Sequence, residues 1–131
     1  MPTDNKYRSC LIVDDNDLDN TITIKMIERV KIAENYIVTH SPEDAIKMIR
    51  ERFISPDLIF VDIDIREKKG FSFIDEIVKS GIGPENTKIF ILSSSLNPDY
   101  IGWANKNKNI TGYVLKTPSE TALKRIAEMK K

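Results

Sequence analysis

Four carboxylates, three serines and one lysine stand where short apolar runs stop. Asp14 and Asp15 follow the run Cys10 to Val13. Asp62 closes the run that begins at Leu58, and Asp64 comes two residues later. Ser93, Ser94 and Ser95 follow Ile89 to Leu92, and Lys116 follows Tyr113 to Leu115. Carboxylates that converge in a partly dry crevice repel one another, so a proton or a cation must join them, and clustered hard oxygens favour a divalent metal such as magnesium. Small hydroxyls donate to an anion, and an ammonium neutralises one. An Asp nucleophile, metal-binding acids, a hydroxyl donor and an ammonium are the parts needed to move a phosphoryl group onto a carboxylate, where catalysis is mostly positioning and charge neutralisation. No His or Cys is required. Taken singly, each residue has a plainer reading. Asp14 to Asp17 suit the positive end of a helix, serines commonly end strands, and a lone lysine is ordinarily a solvated charge. Asp62 differs, because it interrupts an apolar run, and a carboxylate buried there needs a partner or a purpose.

The apolar runs that precede these residues are Cys10 to Val13, Tyr36 to Val38, Leu58 to Ile63, Ile89 to Leu92 and Tyr113 to Leu115, each followed by a longer amphipathic stretch. This pattern is strand then helix, five times over. At 100° per residue, Leu18, Ile22, Met26, Val30 and Ala33 fall on one stripe of the first helix, with Ile24 and Ile32 off it. Ala45, Ile46, Ile49 and Phe53 make the second stripe, Phe73, Ile74, Ile77 and Val78 the third, and Ala122, Leu123, Ile126 and Ala127 the last. A short fourth helix near Pro98 to Asn107 carries Tyr100, Ile101, Trp103 and Ala104. Ser41-Pro42, Asn97-Pro98 and Thr117-Pro118 each place an oxygen acceptor before a proline suited to the first helical position, and Thr117 with Glu120 fits a capping box. Gly81, Gly83 and Pro84 punctuate the loop before the fourth strand. Alternating strands and helices predict an α/β, doubly wound parallel sheet, whose strand C-terminal ends line a crevice.

With 131 residues the chain suits one domain with one core, and 20 basic against 20 acidic residues leave no field to hold a nucleic-acid backbone or an anionic membrane. Hydrophobic residues at 40% are enough to bury a core. The apolar runs fall far short of the roughly 20 residues that span a bilayer. The polar start and a single cysteine favour the cytoplasm. Cys10, inside an apolar run, reads as a buried structural thiol.

Asp14-Asp15, Pro56-Asp57-Leu58-Ile59-Phe60-Val61-Asp62, Gly70, Ser93, Tyr113 and Lys116 stand in an order and spacing that resembles the receiver domain of response regulators, over almost the whole chain. The resemblance implies a flavodoxin-like (βα)5 fold with about five helices and strand order 2-1-3-4-5. It implies one receiver domain over residues 1–131, its core running from about 8 to 130, with no output domain. Asp62 would then be the phosphoacceptor, served by a histidine kinase, a phosphotransfer protein or a small phosphodonor. Asp15 would bind Mg2+ directly, Asp14 would hold metal-bound water, and the backbone carbonyl of Asp64 would add a ligand. Lys116 would pair with the phosphoryl group and Ser93 would bond one of its oxygens. Movement of Ser93 and rotation of Tyr113 would switch a readout face on the fourth helix, fifth strand and fifth helix, including Trp103, Tyr113 and Lys124. The chain would receive phosphate rather than turn over a substrate, and it would act through a protein partner, with no direct contact to nucleic acid or membrane.

The sequence departs from the family pattern at several places. Arg66 stands where a proline commonly follows the phosphoacceptor, Lys69 precedes Gly70, and Thr117 separates Lys116 from Pro118. Asp64 and Ser95 neighbour the path of a water attacking an acyl phosphate. Two other readings remain: a degenerate receiver that only binds proteins, and a phosphatase of the haloacid-dehalogenase type, whose D-x-D motif Asp62-Ile63-Asp64 resembles. His40, the only histidine, reads as a polar strand-end residue.

Overall fold

The computed structural model describes residues 7–63, 74–77, 79, 86–94 and 98–129. Its strands are β1 (Tyr7–Val13), β2 (Ala33–Thr39), β3 (Leu58–Asp62), β4 (Lys88–Ser93) and β5 (Gly112–Leu115). They alternate with α1 (Asp17–Val30), α2 (Pro42–Arg50), a helical piece α3 (74–77), α4 (Pro98–Lys106) and α5 (Glu120–Glu128). All strand pairs are parallel and the order is β2-β1-β3-β4-β5. This is the doubly wound, flavodoxin-like arrangement that the sequence predicts.

The apolar runs are continuous because the inner strands are covered on both faces. Cys10, Ile12, Leu58, Phe60, Phe90 and Leu92 point to one core, with Ile27 of α1 and Leu123 and Ile126 of α5. Leu11, Val13, Ile59, Val61, Ile89 and Ile91 point to the other, with Ala45, Ile46 and Ile49 of α2, Ile74 and Ile77 of α3 and Ala104 of α4. Cys10 is fully buried, as expected, and burial pushes its thiol up from the ordinary value. Asp57 ties the start of β1 to that of β3, accepting from the Arg8 and Ser9 amides at 3.0 and 2.8 Å. Gly112 pairs with Phe90 across β4 and β5, where a Cβ would lie 2.9 Å from the Phe90 ring.

Three local expectations are corrected. The buried line of α1 is Asn20, Thr23 and Ile27; Met26 and Val30 of the expected stripe pack partly against the core, but so does Ile24, placed off it, while Leu18 and Ile22 are exposed. Polar side chains can take the inner line because Asn20 Nδ2 donates to the Asp14 carbonyl at 2.8 Å. Lys31, left-handed at φ 60, ends α1, so Ala33 belongs to β2. Phe53 is exposed rather than on the α2 stripe, because α2 stops at Arg50 and Arg52 turns the chain at φ 61. The cap of α5 is Ser119, whose hydroxyl accepts from the Ala122 amide at 3.1 Å, and not Thr117. Ser119 lies three residues before that amide, the reach of an N-cap, and Pro118 is left buried outside the helix. Ser41 caps α2 with Pro42 next, as expected. Pro98 opens α4, while Asn97, Phe73, Val78, Gly81, Gly83 and Pro84 lie outside the described residues.

Candidate functional site

Register brings the strand ends together. Val13 lies opposite Val61, Asp62 opposite Leu92, and Ser93 opposite Leu115, so Asp14, Asp62, Ser93 and Lys116 stand along one edge of the sheet. Side chains alternate faces along a strand. Asp14, Asp62 and Lys116 carry on the parity of Ile12, Phe60 and Val114, residues of the core under α1 and α5. Ser93 carries on the parity of Ile91, and Tyr113 packs against the same opposite core, under α2, α3 and α4.

Lys116 is the centre of the charged group. Its Nζ lies 3.0 Å from Asp14 Oδ2, 2.9 Å from Asp19 Oδ2 and 3.0 Å from Asp62 Oδ2. Asp14 and Asp62 are buried, as is Ser93. Burial alone would pull the Lys116 ammonium down, but the hydrogen bonds it donates to Asp19, Asp62 and Asp14 outweigh it and hold the pKa above the ordinary lysine range. Asp14 is pushed up to about 6, first by burial and also by the neighbouring Asp62 charge, against the stabilising Asn16 amide and Lys116. The Asn16 amide donates to Asp14 Oδ1 at 3.0 Å, and the Asn16 side chain caps α1 by accepting from the Asp19 amide at 2.9 Å. The first turn of α1 is thereby fastened to the end of β1.

One carboxylate oxygen from each of Asp14, Asp15 and Asp62 lies within 4.8 Å of the others. Two of the three residues are buried, Asp15 is exposed, and all offer hard oxygens, a donor set that suits Mg2+ or Mn2+ rather than a soft metal. The raised Asp14 reflects mainly its burial, with a smaller contribution from the Asp62 charge, and a bound cation would favour its ionised form. The Lys116–Thr117 peptide is cis.

The structure thus gathers Asp14, Asp15, Asp62 and Lys116, with Ser93 at the adjoining strand end. Asp64, Arg66, Lys69, Gly70 and Ser95 lie outside the described residues. His40 stands beyond the end of β2, with Nε2 2.9 Å from Asp17 Oδ1. Reasoning from the sequence does not single out Asp19 or Asn20. The one available signal is their place one turn after the Asp14-Asp15 pair, which brings a helical side chain back over the strand end.

The family model of the response regulator receiver domain matches residues 10–128. A two-component response regulator from Cytophaga hutchinsonii superposes with a TM-score of 0.85 at 26% identity, over 95% of this chain and 97% of that one. One from Legionella pneumophila gives 0.80 at 20% identity, over 94% and 97%. The Mn2+-bound form of the response regulator Rcp1 gives 0.72 at 18% identity, over 94% and 91%. No curated protein matches the sequence.

Proposed function

The chain belongs to the response regulator receiver domain family, whose members are phosphoacceptors in two-component signalling rather than turnover enzymes, and from that premise we propose that Asp62 is its phosphoacceptor. The observation that carries this reading is the Lys116 ammonium 3.0 Å from Asp62 Oδ2, in a pocket that Asp14 and Asp15 complete.

An Asp62 oxygen attacks the phosphorus of a phosphohistidine or a small phosphodonor. The new O–P bond forms as the P–N or P–O bond to the donor breaks, and the leaving group departs with its electron pair. Lys116 neutralises charge on the phosphoryl oxygens as it gathers. Asp14, Asp15, Asp62 and the main-chain carbonyl of Asp64 would hold Mg2+, which supplies further neutralisation of the phosphoryl oxygens when bound. The Mn2+ in Rcp1 supports a divalent site on this fold. Ser93 would bond a phosphoryl oxygen, and with Tyr113 it would pass the change to the face of α4, β5 and α5. The donor would be a histidine kinase or phosphotransfer protein, and the receiver domain would work in the cytoplasm, signalling by protein contact.

The phosphatase reading needs its D-x-D motif after the first strand, whereas Asp62 ends β3. The test is incubation with magnesium and acetyl phosphate. One hydroxylamine-labile phosphate per chain is expected, and none in Asp62→Asn. Labelling that persists in the variant places the acceptor elsewhere.

A further inference from the structure

We propose that Asp19 holds the Lys116 ammonium in the unphosphorylated protein and competes with the phosphoryl group for it, thereby setting how tightly the site takes a phosphoryl group. This rests on Asp62 being the phosphoacceptor. An ammonium has three N–H bonds. Those of Lys116 meet three carboxylate oxygens, on Asp14, Asp19 and Asp62, all at 2.9 to 3.0 Å. A phosphoryl oxygen can therefore bond Lys116 only by displacing one of them.

The three acceptors are not equally held. The Asp14 side chain is 1% exposed and also accepts from the Asn16 amide, while Asp62 is the group that reacts and is 5% exposed. Asp19 is 27% exposed, on the first turn of α1, and can turn its carboxylate to water beside the positive end of the helix. It is the acceptor that leaves most cheaply. Asp19 is also absent from the group of oxygens suited to a metal, so its negative charge opposes the phosphoryl oxygens with no cation of its own beyond Lys116. Lys116 already faces Asp14 and Asp62, which makes Asp19 a positioning residue for the resting state and a cost to the phosphorylated one.

The test uses the full chain, saturating magnesium and beryllium fluoride as the phosphoryl probe, with binding followed by 19F NMR and the Lys116 Nζ resonance followed in parallel. Asp19→Asn and Asp19→Ala are expected to bind the probe about fivefold more tightly, the worth of a part-exposed ion pair. In the free protein Asp19→Asn should shift the Nζ resonance, and the difference should shrink once the probe is bound, which a purely structural role would not produce. Unchanged or weaker probe binding, or an Nζ difference of the same size in the complex, overturns the proposal. If the wild-type chain fails to bind the probe, or Asp62→Asn binds it equally well, the Asp62 reading falls and this one with it. If only the Asp19 variants behave like wild type, the Asp62 reading stands.

Discussion

With no metal bound, the ionisation of buried Asp14 should lower stability at neutral pH, and Asp14→Asn exposes the effect. Asp14 is buried and its folded pKa is raised from 3.8 to about 6. At about 1.4 kcal/mol per pKa unit, ionising it costs on the order of 3 kcal/mol more in the fold than in the unfolded chain. Between those two values the folded chain keeps a proton that the unfolded chain has shed, so wild-type stability falls as pH rises from about 4 to about 6 and then levels. The amide of the variant has no such proton to lose. The stability of Asp14→Asn minus that of wild type should therefore climb by on the order of 3 kcal/mol over the same window. The difference at any one pH also contains the altered bond to Lys116, but that contribution is constant where Lys116 stays charged, so the slope reports the ionisation of Asp14 together with the neighbouring charges it is coupled to. Urea unfolding in EDTA, repeated from pH 4 to 8, measures it. A flat difference across that range would show that Asp14 ionises as easily in the fold as outside it. Magnesium at about 100 times its Kd should then return about 2.7 kcal/mol to the wild type at pH 7, and less to the variant.

Two further changes test the cores on which the site rests. Gly112→Ala should destabilise by about 1–3 kcal/mol in urea unfolding, because its Cβ would sit 2.9 Å from a Phe90 ring that also faces Phe60 at 6.0 Å; paired with Phe90→Leu the loss should be less than additive. The Tyr7 hydroxyl donates to the Ile126 carbonyl at 2.9 Å, and burial, with the Asp57 charge, pushes its pKa up to about 12. Folding protects the neutral phenol, so stability is intact below pH 10 and is lost as pH rises toward 12, by about 1.4 kcal/mol at pH 11. Tyr7→Phe should lose that alkaline slope in parallel urea titrations at pH 9 and 11.

The strands and their order are legible because burial on both faces writes each inner strand as an unbroken apolar run, and because a parallel sheet sends functional groups to the strand ends. Asp14, Asp15, Asp62 and Lys116 can be found that way. Asp19 cannot. An acid in the first turn of a helix reads as a partner for the helix dipole, and only the tertiary placement of Lys116 reveals a second use. The inner line of α1 is hidden for a related reason. Apolar periodicity selects Leu18 and Ile22, but the helix turns Asn20 inward to bond the Asp14 carbonyl, and that one bond, with Asn16 on the Asp14 carboxylate, fixes the rotation of its first turns. Phe53 misleads because its type fits a stripe that the left-handed Arg52 has already ended.

Strand parity also explains how the charged group can be a neighbour of Ser93 and Tyr113 and yet face away from them. Asp14, Asp62 and Lys116 project toward the α1 and α5 side, while Ser93 and Tyr113 follow the parity of the opposite core. The two sets meet in the main chain: the Lys116 amide donates to the Ser93 carbonyl at 2.8 Å, and Ser93 lies opposite Leu115. A lysine that changed its acceptor by swinging its backbone would disturb β4 directly. A lysine whose long side chain exchanges Asp19 for a phosphoryl oxygen need move nothing but its ammonium. The Asp19 exchange would therefore adjust affinity at the charged face, and in the proposed function a signal to α4 and β5 would enter through the hydroxyl of Ser93, on the opposite face from the Lys116 side chain.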